Sequence, residues 1–323
     1  MENKLSFSPF SFCDTELLYH SRTHLLKSYP SAQVFLKRED ESGFGISGCK
    51  KRKYASLIPF LEKSNFEKVG IIGGASSNNV IGLVQLLREK NIAFHLFLKG
   101  NHADSQKGNA FFLKLLTHSE EITYLSSKEW PSVQEIAEHH LQQNYSRYFI
   151  IPEGSACKEA LPGAMTLAFD IVENQRLNMI EYDHIFIDSG TALTAIALGF
   201  GCLLAGVKAS IHVVLMAGDE MWFHAQVHQV QEWLSSYGYT TSERSEFKLY
   251  KPFTAKSFGS VNETIRQQVK YQAKQYGILT DPVYSAKHIA SSMLIVENER
   301  LEGNVLVIHS GGGTGLTGWN LEL

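Results

Sequence analysis

Four consecutive cationic side chains, Lys50, Lys51, Arg52 and Lys53, begin a predicted helix directly after a glycine-rich segment at residues 43–48. The helix dipole opposes positive charge at a helix N-terminus, so some other group must compensate it. One explanation is a solvated basic helix start. We favour another, in which an anionic ligand is held there and one lysine does covalent chemistry.

The same glycine-rich segment, GFGISG, also fits the GxGxxG pattern of dinucleotide-binding loops. The residues before it, KREDES, are strongly polar. The first strand of a dinucleotide-binding fold instead runs apolar into the turn. A nicotinamide-dependent oxidoreductase is therefore a minor alternative.

A second polar loop, GGASSNN at residues 73–79, lies between a buried strand and an amphipathic helix. Ser76 or Ser77 would make an ordinary helix N-cap. A helix cap explains one of the two serines and neither of the two asparagines fully. The surplus polarity suggests contact with a ligand carboxylate or ring oxygen.

Two further loops follow predicted strands. SGTALT at residues 189–194 offers consecutive backbone N–H groups and two threonine hydroxyls, which suit either a phosphate cup or an ordinary cap. HSGGGTG at residues 309–315 lets the backbone approach a flat ligand closely, or forms only a flexible turn.

The elements that must position these loops alternate along the chain, with short β-rich runs followed by helical patterns. The runs VGIIGG and VLVIHSGG lack polar alternation, as strands buried on both faces do. Val80, Leu83, Val84 and Leu87 mark one buried helix stripe. This alternation predicts an α/β fold with open, twisted, mostly parallel sheets, whose ligands gather at the carboxyl ends of the strands.

We expect two domains, a larger one from residues 1–63 plus 157–323 and a smaller one inserted at residues 64–156. The glycine-rich segment with its four cations, residues 43–53, is called the lysine loop, and SGTALT at residues 189–194 the threonine loop. They lie on opposite sides of GGASSNN in the sequence, yet they must meet at one ligand. A ligand site between two domains satisfies that requirement.

Composition narrows the function class. The 323 residues are 44% hydrophobic and 20% charged with a net charge of −3, so no basic field favours nucleic acid. No apolar run reaches the roughly 20 residues of a membrane span, and no signal peptide is apparent, so we expect a cytoplasmic protein without membrane contact. Four scattered cysteines without a CxxC pair suit neither a disulfide scaffold nor a zinc site.

In order, SGCKKRK, GGASSNN, GN at 108–109, PEGS at 152–155, GTALT, DPVYSAK at 281–287 and HSGG resemble one enzyme family. It comprises the pyridoxal-phosphate enzymes of the aminocyclopropane-carboxylate deaminase and D-cysteine desulfhydrase type, in the tryptophan-synthase-β-like, fold-type-II group. The resemblance runs from about Arg38 to Gly312. It implies a two-domain fold-type-II enzyme with pyridoxal 5'-phosphate, a small amino-acid substrate and a homodimer.

The resemblance also implies which residues hold the cofactor. Lys50 aligns with the Schiff-base lysine, and the neighbouring Lys51 is the competing choice. Lys53 aligns with a lysine near the cofactor phosphate. The phosphate loop corresponds to Gly190, Thr191, Ala192, Leu193 and Thr194.

Four more residues align with the family's active site. Ser77 matches a serine that assists proton transfer or holds the substrate carboxylate, and Asn78 matches an asparagine beside the ring oxygen. Tyr284 matches an active-site tyrosine. Ser310 matches the hydroxyl residue that faces the pyridine nitrogen in the desulfhydrase branch.

The sequence also departs from the family pattern. Cys49 and Ser76 replace an asparagine and a glutamine, and Ala192 and Leu193 replace glycines. Phe258 and Ser285 stand where the deaminase branch has a tyrosine and a glutamate.

Phenylalanine cannot exchange a proton, and serine cannot hold a pyridine nitrogen protonated as a carboxylate does. We therefore expect α-proton abstraction by Lys50 and β-elimination, releasing pyruvate and ammonia. The alternatives are deaminase activity on aminocyclopropane-carboxylate and a homologue that binds the cofactor without turnover.

Two other motifs suggest different chemistry. His224 and His228 have the i, i+4 spacing of metal ligands, but a solvated helix face explains them better. Ser155 and Lys158 form an SxxK pair without the other elements of a serine acyl-enzyme. We predict no metal site.

Overall fold

The computed structural model describes residues 12–100, 107–239 and 246–321. Its strands are β1 (Thr23–Ser28), β2 (Ala32–Arg38), β3 (Lys68–Gly74), β4 (Phe94–Lys99), β5 (Ile122–Leu125), β6 (Tyr148–Ile151), β7 (His184–Ser189), β8 (Ser210–Leu215), β9 (Phe247–Tyr250) and β10 (Gly303–His309). Its α-helices are α1 (Cys49–Ser64), α2 (Asn78–Glu89), α3 (Gly108–Leu116), α4 (Val133–Asn144), α5 (Leu161–Asn178), α6 (Leu193–Ala205), α7 (Glu220–Ser236), α8 (Glu263–Tyr276) and α9 (Ser285–Asn298).

The strands form two sheets. A six-stranded sheet has the order β1-β2-β10-β7-β8-β9, and a four-stranded sheet has the order β5-β4-β3-β6. Only β1 pairs antiparallel; the other strand pairs are parallel. The predicted α/β fold with mostly parallel sheets is confirmed. The smaller sheet takes its strands from within residues 64–156, which supports the domain limits that we propose.

The six-stranded sheet is covered on both faces. Along β10, Leu306 and Ile308 pack into the large core cluster that includes α5 and α6, whereas Val305 and Val307 pack with Ile289 of α9. Successive side chains of a strand point to opposite faces, so an apolar run without alternation serves both cores. This arrangement explains why β10 was recognisable from its sequence.

The helix stripe predicted after the GGASSNN loop is confirmed, since Val80, Leu83, Val84 and Leu87 of α2 are fully buried. Among the described residues, no helix combines the length and apolar character needed to cross a membrane.

A buried set of charges, which we call the α1 charge cluster, comprises Lys37, Glu39, Arg52 and Asp170. All four side chains are fully buried. The guanidinium of Arg52 reaches both acids, with Nε 2.7 Å from Glu39 and Nη2 2.8 Å from Asp170. Because buried charges require partners, these contacts tie α1 to the end of β2 and to α5.

Candidate active site

The lysine loop is held against the loop that follows β10. The backbone N–H of Cys49 donates to the carbonyl of Ser310 at 3.0 Å. Gly48 has φ +72°, and a Cβ atom there would lie 2.2 Å from the Ser310 carbonyl oxygen. Only glycine allows this approach, so the start of α1 is fixed at the carboxyl edge of the large sheet.

Lys50 and Lys51 differ in their surroundings. Lys50 is half-buried at the cavity wall, with Nζ 5.7 Å from the ring centroid of Tyr284. Within the described residues its amine has no hydrogen bond or ion pair. Lys51 instead donates from Nζ to the carbonyl of Ser42 at 3.3 Å and does not line the cavity. The geometry therefore favours Lys50 as the reacting amine.

Lys53 is buried, and its Nζ donates to the carbonyl of Gly154 at 2.8 Å. Burial, assisted by the charge of Lys50, lowers the pKa of Lys53 to about 7. Gly154 packs on Thr191 so closely that a Cβ atom at 154 would lie 2.3 Å from Thr191 Oγ1. Lys53 is thereby placed beside the threonine loop.

The threonine loop enters α6 through a tight turn. The N–H of Leu193 donates to the carbonyl of Thr191 at 2.8 Å, and Ala192 between them has φ +63° and ψ −35°. These angles approach the strained γ-turn, which L-residues seldom adopt. The turn brings Gly190, Thr191, Ala192 and Thr194 to the cavity wall beside the first N–H groups of α6, which lack intrahelical acceptors.

Leu193 lies apart from the other predicted residues of the threonine loop. Its side chain is 2% exposed within the main core, and its N–H is already bonded to Thr191. It is absent from the cavity wall. The physical reason is that Leu193 is the first residue of α6, on the face that packs into the protein.

Ser77 is the N-cap of α2. Its Oγ accepts from the N–H groups of Asn79 and Val80 at 3.2 and 3.4 Å. The cap expected from the sequence is therefore present, and Ser77 also lines the cavity. Because its oxygen accepts from the helix, the hydroxyl proton is left to donate to a ligand.

Hydrogen bonds between the side-chain amides of Asn109 and Asn78, which we call the amide chain, orient Asn78. Nδ2 of Asn109 donates to the carbonyl of Ser76 at 3.1 Å and to Oδ1 of Asn78 at 2.6 Å. A backbone carbonyl only accepts, so the Asn109 atom facing Ser76 must be nitrogen, and the Asn78 atom facing that nitrogen must be oxygen. Nδ2 of Asn78 is left as a donor at the cavity wall.

Tyr284 precedes α9, and its ring packs over Gly190, where a Cβ atom would lie 3.2 Å from Cε1. Burial raises the pKa of Tyr284 well above its usual range, so its hydroxyl stays protonated. Ser285 is buried, and its hydroxyl donates to Oδ2 of Asp281 at 2.8 Å. It does not line the cavity, unlike Phe258, whose ring centroid lies 6.0 Å from that of Tyr284.

These loops surround a cavity of about 910 Å³ at the carboxyl ends of strands from both sheets. All the predicted site residues except Leu193 line it: Lys50, Lys53, Ser77, Asn78, Gly190, Thr191, Ala192, Thr194, Tyr284 and Ser310. The wall also carries Asn109, Trp130, Trp222 and Trp319. The structure therefore brings together predicted site residues that are up to 260 positions apart in the sequence, as Lys50 and Ser310 are.

Four buried polar atoms of wall residues have no hydrogen-bond partner within the described residues: Asn79 Nδ2, Asn109 Oδ1, Asp188 Oδ1 and Ser189 Oγ. Buried polar groups are normally paired, so these atoms indicate a polar ligand. Pyridoxal phosphate fits this wall. Its phosphate suits the N-terminus of α6, its aldehyde suits the free amine of Lys50, and its ring oxygen suits the donor of Asn78.

Fold and site together define a pyridoxal-phosphate dependent enzyme, and the chain belongs to that family, whose model matches residues 14–311. It is 24% identical over 313 residues to a D-cysteine desulfhydrase of Serratia proteamaculans, with 92% of each chain covered. It is 26% identical over 303 residues to a mitochondrial bifunctional D-cysteine desulfhydrase/1-aminocyclopropane-1-carboxylate deaminase of Arabidopsis thaliana, covering 88% of this chain and 73% of the relative.

Solved structures show the same fold. An ACC deaminase homologue aligns with a TM-score of 0.81 over 98% of this chain and 97% of its own, at 21% identity. A hydrogen sulfide-producing enzyme from Fusobacterium nucleatum aligns with a TM-score of 0.66 over 98% of this chain and 99% of its own, at 13% identity.

The two other motifs noted in the sequence have ordinary roles. Ser155 Oγ donates to Asn79 Oδ1 at 2.9 Å, and Lys158 lies over the ring of Tyr237, so the SxxK pair is not assembled. His224 is exposed and lies 3.8 Å from Glu220 of its own helix. Across the described ranges, no group of three or more histidine, cysteine or acidic residues could hold a metal ion.

Sequence reasoning missed Asp188 and assigned no individual role to Asn79 or Asn109. Asp188 stands near the carboxyl end of β7, directly before the threonine loop, where strand-end polar residues face ligands. That signal was available in the sequence. The contact of Asn109 with Asn78 joins residues from different helices, and no local pattern indicates it.

Proposed function

We propose that this enzyme eliminates the β-substituent of a small amino acid, with D-cysteine as the preferred substrate, and releases pyruvate and ammonia. The observation that carries the proposal is the unpaired amine of Lys50 in a polar cavity. The relatives named D-cysteine desulfhydrase support the choice of substrate.

In this proposal Lys50 has two tasks. Its amine bonds the cofactor and, once released, takes the proton from Cα of the substrate. The bound pyridoxal phosphate supplies the electron withdrawal that makes this proton acidic. As the Cα–H electrons form a Cα–Cβ double bond, the Cβ–S bond breaks and sulfur leaves with its electron pair. The released enamine tautomerises to an imine, and one water molecule hydrolyses that imine to pyruvate and ammonia. The hydroxyls of Ser77 and Tyr284 are the wall's proton donors for the substrate carboxylate or the leaving group.

Other residues of this chain hold the cofactor. Residues 190–192 and Thr194, with Lys53 beside them, would bind the phosphate. Asn78 would donate to the ring oxygen, and Ser310 would face the pyridine nitrogen. These assignments follow from the resemblance and are supported by the shared cavity.

Ring opening of 1-aminocyclopropane-1-carboxylate is the second candidate, because one relative carries that activity in its name. Phe258 lines the cavity beside Tyr284 and has no exchangeable proton. We therefore expect elimination from D-cysteine or β-chloro-alanine to exceed ring opening by at least about 10-fold in kcat/KM, since one missing hydrogen bond is worth about 1.4 kcal/mol.

Side-by-side assays of the purified, cofactor-loaded protein test the proposal. Pyruvate and sulfide should appear from D-cysteine and should be absent with Lys50→Ala. Robust ring opening without elimination would overturn the substrate assignment. Cofactor binding without any turnover would show a binding protein instead.

We further propose a homodimer in the cytoplasm. The dimer rests on the family resemblance, and light scattering across a wide concentration range tests it. The four cysteines are free and buried, which fits a reducing compartment. Cell fractionation tests the location.

A further inference from the structure

The edge of the four-stranded sheet brings a cation to the cavity that the elimination chemistry proposed above does not use. Lys99 is the last residue of β4, and it pairs with Gly74 at the end of β3. The adjacent Gly73 lies close to Ser77, because a Cβ atom at 73 would be 4.0 Å from Ser77 Oγ. Neighbouring strands are about 4.8 Å apart, so Lys99 stands one strand away from the loop that carries Ser77.

The ammonium of Lys99 lies over an aromatic ring rather than against an acid. Its side chain is exposed on the cavity wall, and Nζ is 5.7 Å from the ring centroid of Trp130. A ring at this distance attracts a cation without neutralising it. Among the residues that the structure describes, no carboxylate forms an ion pair with Lys99. Its charge is therefore available to a ligand.

Within residues 64–156, as far as the structure describes them, the charged side chains of the cavity wall are Lys99, Lys107 and Glu153. Lys107 is exposed directly before α3. Desolvation raises the pKa of the Glu153 carboxyl group, and the nearby charge of Lys99 opposes that rise. Two cations thus face one anion, and this balance favours an anionic group on the ligand.

The cavity of about 910 Å³ is near the upper end of the size range of small-molecule sites, so it is not limited to a three-carbon amino acid. We propose that Lys99 binds an anionic end of the substrate's β-substituent, so that the enzyme also eliminates β-substituents that carry a carboxylate. The inference rests on the proposed function, because it extends the same elimination to a longer leaving group.

S-carboxymethyl-D-cysteine is an example of this substrate class. Lys50 takes the Cα proton, the Cβ–S bond breaks, and mercaptoacetate leaves with the electron pair of that bond and takes up a proton. One water molecule hydrolyses the remaining imine to pyruvate and ammonia. The carboxylate of the leaving group is the part that Lys99 would hold.

Titration of the cofactor-loaded protein with two ligands tests the inference without turnover. D-α-aminoadipate has the shape of S-carboxymethyl-D-cysteine with a methylene group in place of sulfur, so it has no leaving group. The matched ligand carries an amide in place of the distal carboxylate. Lys99→Gln should lower the ratio of acid to amide affinity about 5-fold, whereas Lys99→Arg should keep it. Glu153→Gln should raise the ratio, because a repelling charge is removed.

Lys114→Gln removes an exposed lysine of α3 that does not line the cavity, and as the control it should leave the ratio unchanged. An unchanged ratio in Lys99→Gln overturns the proposal. Equal weakening of acid and amide also overturns it, because Lys99 would then hold the α-carboxylate.

Pyruvate release from S-carboxymethyl-D-cysteine tests the added activity. Its absence, where D-cysteine does yield pyruvate, overturns that activity. If D-cysteine yields none, the proposed function fails, and the titration still decides whether Lys99 binds the distal carboxylate.

Discussion

Arg52 and Lys50 lie two residues apart on α1, yet their environments are opposite. Arg52 is fully buried in the α1 charge cluster and contacts Glu39 and Asp170 at 2.7 to 2.8 Å. Lys50 faces the cavity, and within the described residues its amine has no ionic partner. The difference shows two roles for charged residues on one helix. The buried, paired charge of Arg52 fixes the position of α1, whereas the unpaired amine of Lys50 is available to bind a ligand.

The largest effect is expected from removing the unpaired amine of Lys50. Lys50→Ala should abolish the visible absorption of the cofactor-loaded protein and lower kcat by at least about 1000-fold, because the covalent and proton-transferring amine is lost. Absorption spectra and pyruvate assays measure this. Lys51→Ala is the control and should retain both. The reverse result would move the reacting lysine by one residue.

Removing one charge from the α1 charge cluster should lower the stability of the protein. Arg52→Met leaves Glu39 and Asp170 with fewer partners, and removal of one member of a buried ion pair costs about 3–5 kcal/mol. Urea unfolding of the cofactor-free protein measures the loss, with Lys51→Met as the control on the same helix. A change below about 1 kcal/mol would show that the cluster does not hold α1.

The lowered pKa of Lys53 predicts that the free energy of unfolding depends on pH. Its folded pKa is lowered to about 7, whereas the unfolded side chain has its usual pKa near 10.5. Between these values the unfolded Lys53 side chain binds more protons than the folded one, so Lys53 contributes a rise of the unfolding free energy with pH, measured as the difference between the wild type and Lys53→Met. Urea unfolding of the cofactor-free protein at pH 7 and pH 10 measures the rise. Lys53→Met should reduce the rise, and an equal rise in both proteins would contradict the assignment.

The amide chain gives a smaller effect. Asn109→Asp cannot donate to Ser76 or Asn78, so Asn78 loses the contact that turns its Nδ2 toward the cavity. We expect cofactor affinity to fall about 10-fold, the value of one hydrogen bond with a charged partner. Dialysis measures it, and Asn144→Asp at the exposed end of α4 is the control. Unchanged affinity would mean that Asn78 is oriented by other contacts.

The smallest effect concerns the turn at Ala192. Glycine adopts positive φ without strain, so Ala192→Gly should stabilise the cofactor-free protein by about 1 kcal/mol. Thermal unfolding measures the gain. Ala205→Gly, at the end of the same helix, should instead destabilise it. A loss with both variants would show that the turn is not strained.

The sequence predicted the central strands β3, β7 and β10, because each contains a run of apolar residues. It did not indicate β1, β5 and β9, which lie at sheet edges, where partial exposure weakens the apolar pattern. The lysine and threonine loops were found because strand ends are where ligands bind.

The sequence could not predict which side chains, far apart along the chain, pair with each other. The contrast between Arg52 and Lys50 depends on Asp170, and the free oxygen of Asp188 depends on what the surrounding loops leave unbonded. Ser285 illustrates the same limit, because its hydroxyl is taken by Asp281 and turned away from the cavity.

The bond from Cys49 to Ser310, with the pairing of β2 to β10, has a consequence for biosynthesis. On the ribosome the lysine loop is made long before β10, the strand that flanks β2, and before the Ser310 carbonyl that fixes the start of α1. Such distant pairing makes assembly slow and leaves the partial chain exposed. A nascent chain therefore carries Lys50 without a finished site until β10 and Ser310 have been made and have folded against it.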